Sequence, residues 1–372
     1  MVLKKPSGKM YMSKQTRTEI PTDLTEKIGR MIMTGFRGLS LSDTDPICED
    51  LRLGRIGGVV LFDTDAELGS PLRNVESGPQ LSALIADIKR RSLHPPLIGT
   101  DQEGGRVARL KARHGFPAML SQRELGQEDD PDLTRRNAEV MADLLSELGF
   151  NLNFAPVVDL DINPDSPAIG FHGRSLAADA QTVIRHSRII VKTLLERGIL
   201  PVLKHFPGHG SAQNDTHLGL TDVTDTWNRE ELLPYETLIR EGQIPMVMTA
   251  HLFNRHLDPD YPATLSQRIV TRLLRQELGF EGVIISDDLN MRAIRDHYGL
   301  ETAVERAVLA GVDILLFGNN LYYDAHIAEK VQGIIIDAVQ SGRISHSRID
   351  DSYRRIERLH AFLSPENQTG LT

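Results

Sequence analysis

The sequence predicts a single (β/α)8 barrel of the TIM type, and three observations carry that expectation. Eight short apolar runs recur along the chain, at 31–36, 57–62, 96–101, 153–158, 201–205, 244–250, 282–287 and 312–317. Each is continuously apolar rather than alternating, which is how a strand buried on both faces reads. Amphipathic helical segments separate them, and eight strand–helix units over about 300 residues match the size of such a barrel. A doubly wound open sheet would use the same elements. No G-x-G-x-x-G segment follows the early runs, so the dinucleotide-binding version of that sheet has no support.

Each helical segment has its own signal. Segment 80–91 sets Leu81, Leu84, Ile85 and Ile88 on one face, and 132–148 does the same with Val140, Leu144, Leu145 and Leu148 before Gly149. Segment 182–196 carries Val183, Ile184, Ile190, Val191, Leu194 and Leu195, with Gly198 beyond its end. Segment 226–241 is expected to open on an Asn228-x-x-Glu231 capping box. Segment 302–310 stops at Gly311, and 348–362 completes the outer ring. The expected organisation is a basic, disordered arm over 1–20 (Lys4, Lys5, Lys9, Lys14, Arg17), the barrel over 21–363 and a flexible tail over 364–372.

Composition excludes several classes of protein. A net charge of −9 opposes a general nucleic-acid binder, which needs a basic face. Cys48 is the only cysteine, so neither an intramolecular disulfide nor a Cys-rich zinc site can form. No run approaches the roughly 20 apolar residues of a membrane span, and no apolar stretch follows the basic N-terminus. A cytoplasmic protein without membrane or nucleic-acid partners is expected.

In a barrel, chemistry gathers at the C-terminal ends of the strands. There the sequence puts Asp101 and the Gln102-Glu103-Gly104-Gly105-Arg106 turn, Asp159 and Asp161 with Arg174 in the loop beyond, and Lys204-His205. Next come His209, Asp215 and His217 in a Gly- and Pro-containing loop, then His251, and then Ser286-Asp287-Asp288. A carboxylate at the exit of a buried strand is rigidly held, as a nucleophile requires. One of two adjacent acids can cap the next helix while the other faces the barrel mouth. Asp215, two residues from His217, would raise that imidazole's pKa and orient it for general acid work. Arg174 could instead pair with Asp159 or Asp161.

The segment Lys204-His-Phe-Pro-Gly-His-Gly, followed after four residues by Asp215-Thr-His217, resembles the signature of the β-N-acetylhexosaminidases of glycoside hydrolase family 3. The segment from Leu273 through Gly-Val-Ile-Ile-Ser-Asp287 resembles the wider family's nucleophile signature. Asp101-Gln-Glu-Gly-Gly-Arg-Val-x-Arg109 and Ala155-Pro-Val-Val-Asp159 are similar to further family motifs. Asn290 stands where a serine is common in similar proteins, and the loop from Asp159 to Arg174 looks longer.

The resemblance implies Asp287 as nucleophile, His217 as acid/base with Asp215 as its partner, and Asp101, Arg109, Arg174, Lys204 and His205 as ligands of the terminal sugar. It implies a retaining exo-β-N-acetylglucosaminidase acting on cell-wall muropeptides through a covalent glycosyl-enzyme intermediate. No cofactor or metal is expected, and the enzyme is expected to be a monomer. A β-glucosidase-like specificity, a metal-dependent barrel hydrolase and a catalytically dead sugar-binding barrel are the competing readings.

Overall fold

The computed structural model describes residues 24–215 and 219–363. The arm expected over 1–20 and the tail expected over 364–372 lie outside them. Eight parallel strands form the barrel: β1 (Ile32–Gly35), β2 (Gly58–Val60), β3 (Leu97–Thr100), β4 (Leu152–Asn153), β5 (Leu200–Phe206), β6 (Met246–Thr249), β7 (Val283–Ile285) and β8 (Leu315–Phe317). Their order is β8-β1-β2-β3-β4-β5-β6-β7. Ile32 pairs with Leu315 across the β1–β8 ladder, and a parallel bridge between Ile285 and Ile314 closes the remaining gap. The sheet therefore has no open edge, which distinguishes it from the open alternative.

Every strand is buried along its length, and the core runs unbroken from Ile28 and Met31 through Ile98, Val202 and Val247 to Leu315 and Leu359. Covering helices fix its outside. The helix Pro131–Leu148 starts at Asp130, whose side chain accepts the Asp132 N–H, and ends at Gly149 with φ +95°.

Three segments depart from expectation for physical reasons. The strand expected over 153–158 is regular only at Leu152–Asn153, with pairing resumed beyond it as a single parallel bridge between Val157 and Lys204. Pro156 has no N–H to give a ladder, and the Asn153 side-chain amide takes over instead, accepting from Gln102 N at 3.0 Å and donating to Gln102 O at 3.0 Å. The capping box at 228–231 does not form. Asn228 accepts from Glu230 N, a 3-10 turn Arg229–Leu232 precedes the helix Leu233–Arg240, and Glu231 turns inward. The helix expected over 302–310 begins at Arg292 and kinks at Gly299, where φ is +70°.

At the N-terminal end of the barrel, buried Asp313 joins the last strands to the C-terminal helix His346–Leu363. It accepts from Ile284 N at 2.9 Å and from the Ser352 hydroxyl at 2.7 Å, and it pairs with Arg275 and Arg355. Among the described residues no helix is long and apolar enough to cross a membrane.

Candidate active site

A tight turn follows β3. Gly104 (φ +100°) and Gly105 (φ +56°) let the chain reverse, and a Cβ on Gly104 would lie 2.1 Å from the Leu120 carbonyl oxygen. The Gln102 side-chain carbonyl accepts from the amides of Arg109 and Leu110 and fixes the returning chain after the turn. Arg109 Nη2 thereby reaches Asp101 Oδ2 at 3.1 Å.

From the end of β5, the almost fully buried Lys204 donates from Nζ to Asp101 Oδ1 at 2.9 Å and pairs with Glu103 Oε1 at 2.7 Å. Arg174, returning from the loop after β4, clamps Glu103 with two bonds of 2.9 and 2.7 Å. Neither Asp159 nor Asp161 takes Arg174; Asp161 pairs with Arg123. Three cations and two carboxylates thus share one cluster, buried at Lys204 and Glu103 and partly exposed at Asp101, Arg109 and Arg174. Burial opposes charge on Asp101, but Lys204 and Arg109 outweigh it and hold the carboxyl below its ordinary range. Glu103 is lowered against burial by Arg174 and Lys204, and Arg174 is raised against burial by Glu103 and Asp101.

The imidazole of His205 completes this wall. Arg174 Nη2 lies 3.3 Å from His205 Nε2, and His205 Nδ1 lies 2.7 Å from Asp159 Oδ2. An arginine can only donate, so Nε2 accepts and Nδ1 carries the proton toward Asp159. Burial, followed by Arg174 and Lys204, pushes the His205 pKa well down and keeps the ring neutral. Asp159 also accepts from the backbone amides of His205 (3.0 Å) and His209 (2.8 Å). Its own pKa is raised because burial outweighs the help of His209 and those amides.

Asp287 follows β7, its amide bonded to the Thr249 carbonyl at 3.2 Å. The adjacent acids divide the work. Asp288 Oδ1 accepts from the amides of Asn290 and Gly318, each at 2.9 Å, while Asp287 Oδ1 accepts from Asp288 N at 2.8 Å. Buried His251 supports the turn from β6, with Nε2 donating to the Asp288 carbonyl at 3.0 Å and the Thr264 hydroxyl 2.9 Å from Nδ1.

The loop after β5 is fastened at its near end. Gly210 N donates to Glu231 Oε2 at 3.0 Å, Trp227 Nε1 to Pro207 O at 3.1 Å, and Asn163 Nδ2 to Ala212 O at 3.0 Å. Burial, with a contribution from Asp159, raises the Glu231 pKa to about 7 against the pull of Ser211 and Gly210. Asp215 lines the pocket from this loop. His217 lies outside the described residues.

One cavity of about 370 Å³ receives Asp101, Arg109, Arg174, Lys204, His205 and Asp287, together with Asp215 and His209. That volume suits a small polar ligand. Glu103, the anion shared by Lys204 and Arg174, was not singled out from the sequence, although its place two residues after a strand-end aspartate was a usable signal. Among the described residues no group of three or more His, Cys, Asp or Glu side chains could hold a metal ion.

Residues 23–359 match the glycosyl hydrolase family 3 N-terminal domain. The chain belongs to glycosyl hydrolase family 3. Within the family, a β-hexosaminidase of Nitrosomonas eutropha is 34% identical over 339 residues, covering 88% of this chain and 92% of that protein. β-Hexosaminidase A of Pseudoalteromonas piscicida is 30% identical over 96% of this chain, which spans 64% of that longer protein. A solved family 3 β-N-acetylglucosaminidase from Paenibacillus sp. str. FPU-7 superposes with a TM-score of 0.83 at 34% identity, covering 92% of this chain and 63% of its own. The chain thus spans under two thirds of the latter two relatives and nearly all of the first.

Proposed function

We propose that this protein is a retaining exo-β-N-acetylglucosaminidase that removes terminal β-linked N-acetylglucosamine, with cell-wall muropeptides as its substrates. The observation that carries this reading is the convergence of a strand-end carboxylate, Asp287, with a buried, hydrogen-bonding charge cluster on one pocket. Relatives named for β-hexosaminidase activity support the choice of sugar.

In this reading Asp101, Arg109, Arg174, Lys204 and His205 hold the sugar hydroxyls. A carboxylate oxygen of Asp287 attacks the anomeric carbon, and the glycosidic bond breaks as His217, oriented by Asp215, gives its proton to the leaving oxygen. Water then attacks the anomeric carbon and loses a proton to the His217 imidazole, and the Asp287 ester bond breaks with retention. No cofactor or metal enters these steps. The reading also takes the enzyme as monomeric and cytoplasmic, in keeping with a single, buried cysteine thiol at Cys48.

The test compares nitrophenyl β-N-acetylglucosaminide with the β-glucoside and follows the first-formed product anomer by NMR. Faster turnover of the acetamido sugar with initial β-product is expected; preference for the glucoside or initial α-product overturns the reading. A fluorinated N-acetylglucosamine inactivator should label Asp287, and labelling of Asp288 would refute its role. Because general acid help is worth about 10²–10⁴-fold and matters most for poor leaving groups, His217→Ala should harm disaccharides far more than nitrophenyl glycosides. Equal losses on both, with no rescue by azide, would remove His217 from the acid/base role.

A further inference from the structure

We propose that Phe171 and Arg106 form a platform on the lip of the pocket that seats the sugar ring of the leaving group. The inference rests on the glycosidase reading above and extends it to the far side of the scissile bond. Phe171 is 63% exposed, the most exposed Phe, Tyr or Trp ring among the described residues.

That exposure is not the looseness of a surface loop. Phe171 N donates to Ser166 O at 2.9 Å, Gly173 N to Gly170 O at 2.9 Å, and Arg174 N to Ile169 O at 3.2 Å. A Cβ on Gly170 would lie 2.3 Å from the Pro164 carbonyl oxygen, so the loop is closed tightly on itself. The chain then runs directly into Arg174 and the buried charge cluster. An apolar ring held in water by a well-bonded backbone beside a polar cavity marks a contact surface.

Arg106 reaches this ring from a different loop. It sits in the turn bridged by Gly104 and Val107, its Nη1 donates to Phe171 O at 3.1 Å, and its guanidinium carbon lies 5.3 Å from the ring centroid. The same arginine lines the pocket together with His172, whose ring meets Phe171 edge-on at 5.2 Å. Among the described residues no carboxylate forms an ion pair with Arg106, so most of its five N–H donors are available to a ligand.

An aromatic face beside a forked donor matches a pyranose, which has one C–H-rich face and a rim of hydroxyls. The terminal sugar belongs with the buried cluster around Lys204, deeper in the cavity. The ring that leaves toward solvent is the one that meets the lip. Phe171 and Arg106 therefore govern which leaving groups are handled well, while the bond-making groups are unchanged.

The experiment uses two substrates that share the transferred sugar: β-N-acetylglucosaminyl fluoride, which has no leaving sugar, and the β-1,4-linked disaccharide of N-acetylglucosamine. Aromatic contacts of this kind contribute about 0.5–1.5 kcal/mol, equivalent to roughly 2- to 12-fold in kcat/KM. Phe171→Ala and Arg106→Ala should each lower kcat/KM for the disaccharide by about that factor while leaving the fluoride within about twofold. Phe171→Tyr, which keeps the ring, should restore the disaccharide. Equal losses on both substrates, or no loss on the disaccharide, overturn the platform. Failure of the unaltered protein to turn over the fluoride overturns the glycosidase reading, and the assigned occupant with it.

Discussion

At Asp101, burial and charge act in opposite directions, and the cations prevail. The carboxylate stays ionised because Lys204 and Arg109 bond its two oxygens, while Glu103 compensates Lys204 and Arg174 alongside. Removing one member of such a cluster leaves a buried charge short of a partner, which costs about 3–5 kcal/mol when no water replaces it. Asp101→Ala should therefore weaken inhibition by free N-acetylglucosamine at least tenfold, with a lower urea midpoint. An unchanged inhibition constant would remove Asp101 from the sugar's contacts. His205 adds a second residue-scale constraint. Its proton is committed to Asp159 and its other nitrogen faces Arg174, so it is built to hold a position rather than to relay protons in the neutral range.

Glu231 acts through the element it fastens. It stands on the 3-10 turn Arg229–Leu232 but bonds the loop after β5, and its pKa is raised to about 7 by burial. The sign follows from proton binding. A carboxyl whose folded pKa lies above its unfolded value binds protons more tightly when folded, so its contribution to stability falls as pH rises from about 4.3 to 7. Glu231→Gln cannot titrate but keeps an oxygen for Gly210 N. The stability of the variant relative to the native protein should therefore rise across that window, by up to about 3 kcal/mol. Urea unfolding of both proteins at pH 4.5 and pH 8 measures it, and a difference independent of pH would refute the assignment. The same residue shows where sequence patterns stop being informative. Continuous apolar runs located seven of the eight strands and touched the fourth at Asn153, because burial on both faces is written into residue type. Strand ends located Asp101, Lys204, His205 and Asp287, because a barrel sends successive strand exits to one rim. Asn228-x-x-Glu231, in contrast, has the spacing of a local cap, and only the approach of Gly208 and Gly210 from another loop pulls Glu231 inward. Glu103 and Phe171 were obscure for the same reason: their partners, Arg174 and Arg106, lie 71 and 65 positions away.

At the scale of the whole molecule, closure depends on a few contacts between the ends of the chain. Asp313, just before β8, bonds β7 through Ile284 N and also bonds Ser352, Arg275 and Arg355, so one buried carboxylate ties two strands to the C-terminal helix. Asp313→Ala should cost about 3–5 kcal/mol by stranding that cluster, seen as a lower urea midpoint; a loss below about 1 kcal/mol would show that water replaces the carboxylate freely. The β1–β8 ladder has a different consequence. Its partners, Ile32 and Leu315, are separated by about 280 residues. At about 5–20 residues per second, ribosomal synthesis leaves β1 waiting on the order of 15–60 s for its second neighbour. Through that interval a four-residue, fully buried strand presents one unpaired edge to the cell. The nascent chain is thus most prone to aggregate not when it first emerges, but during the long delay before its last strand arrives.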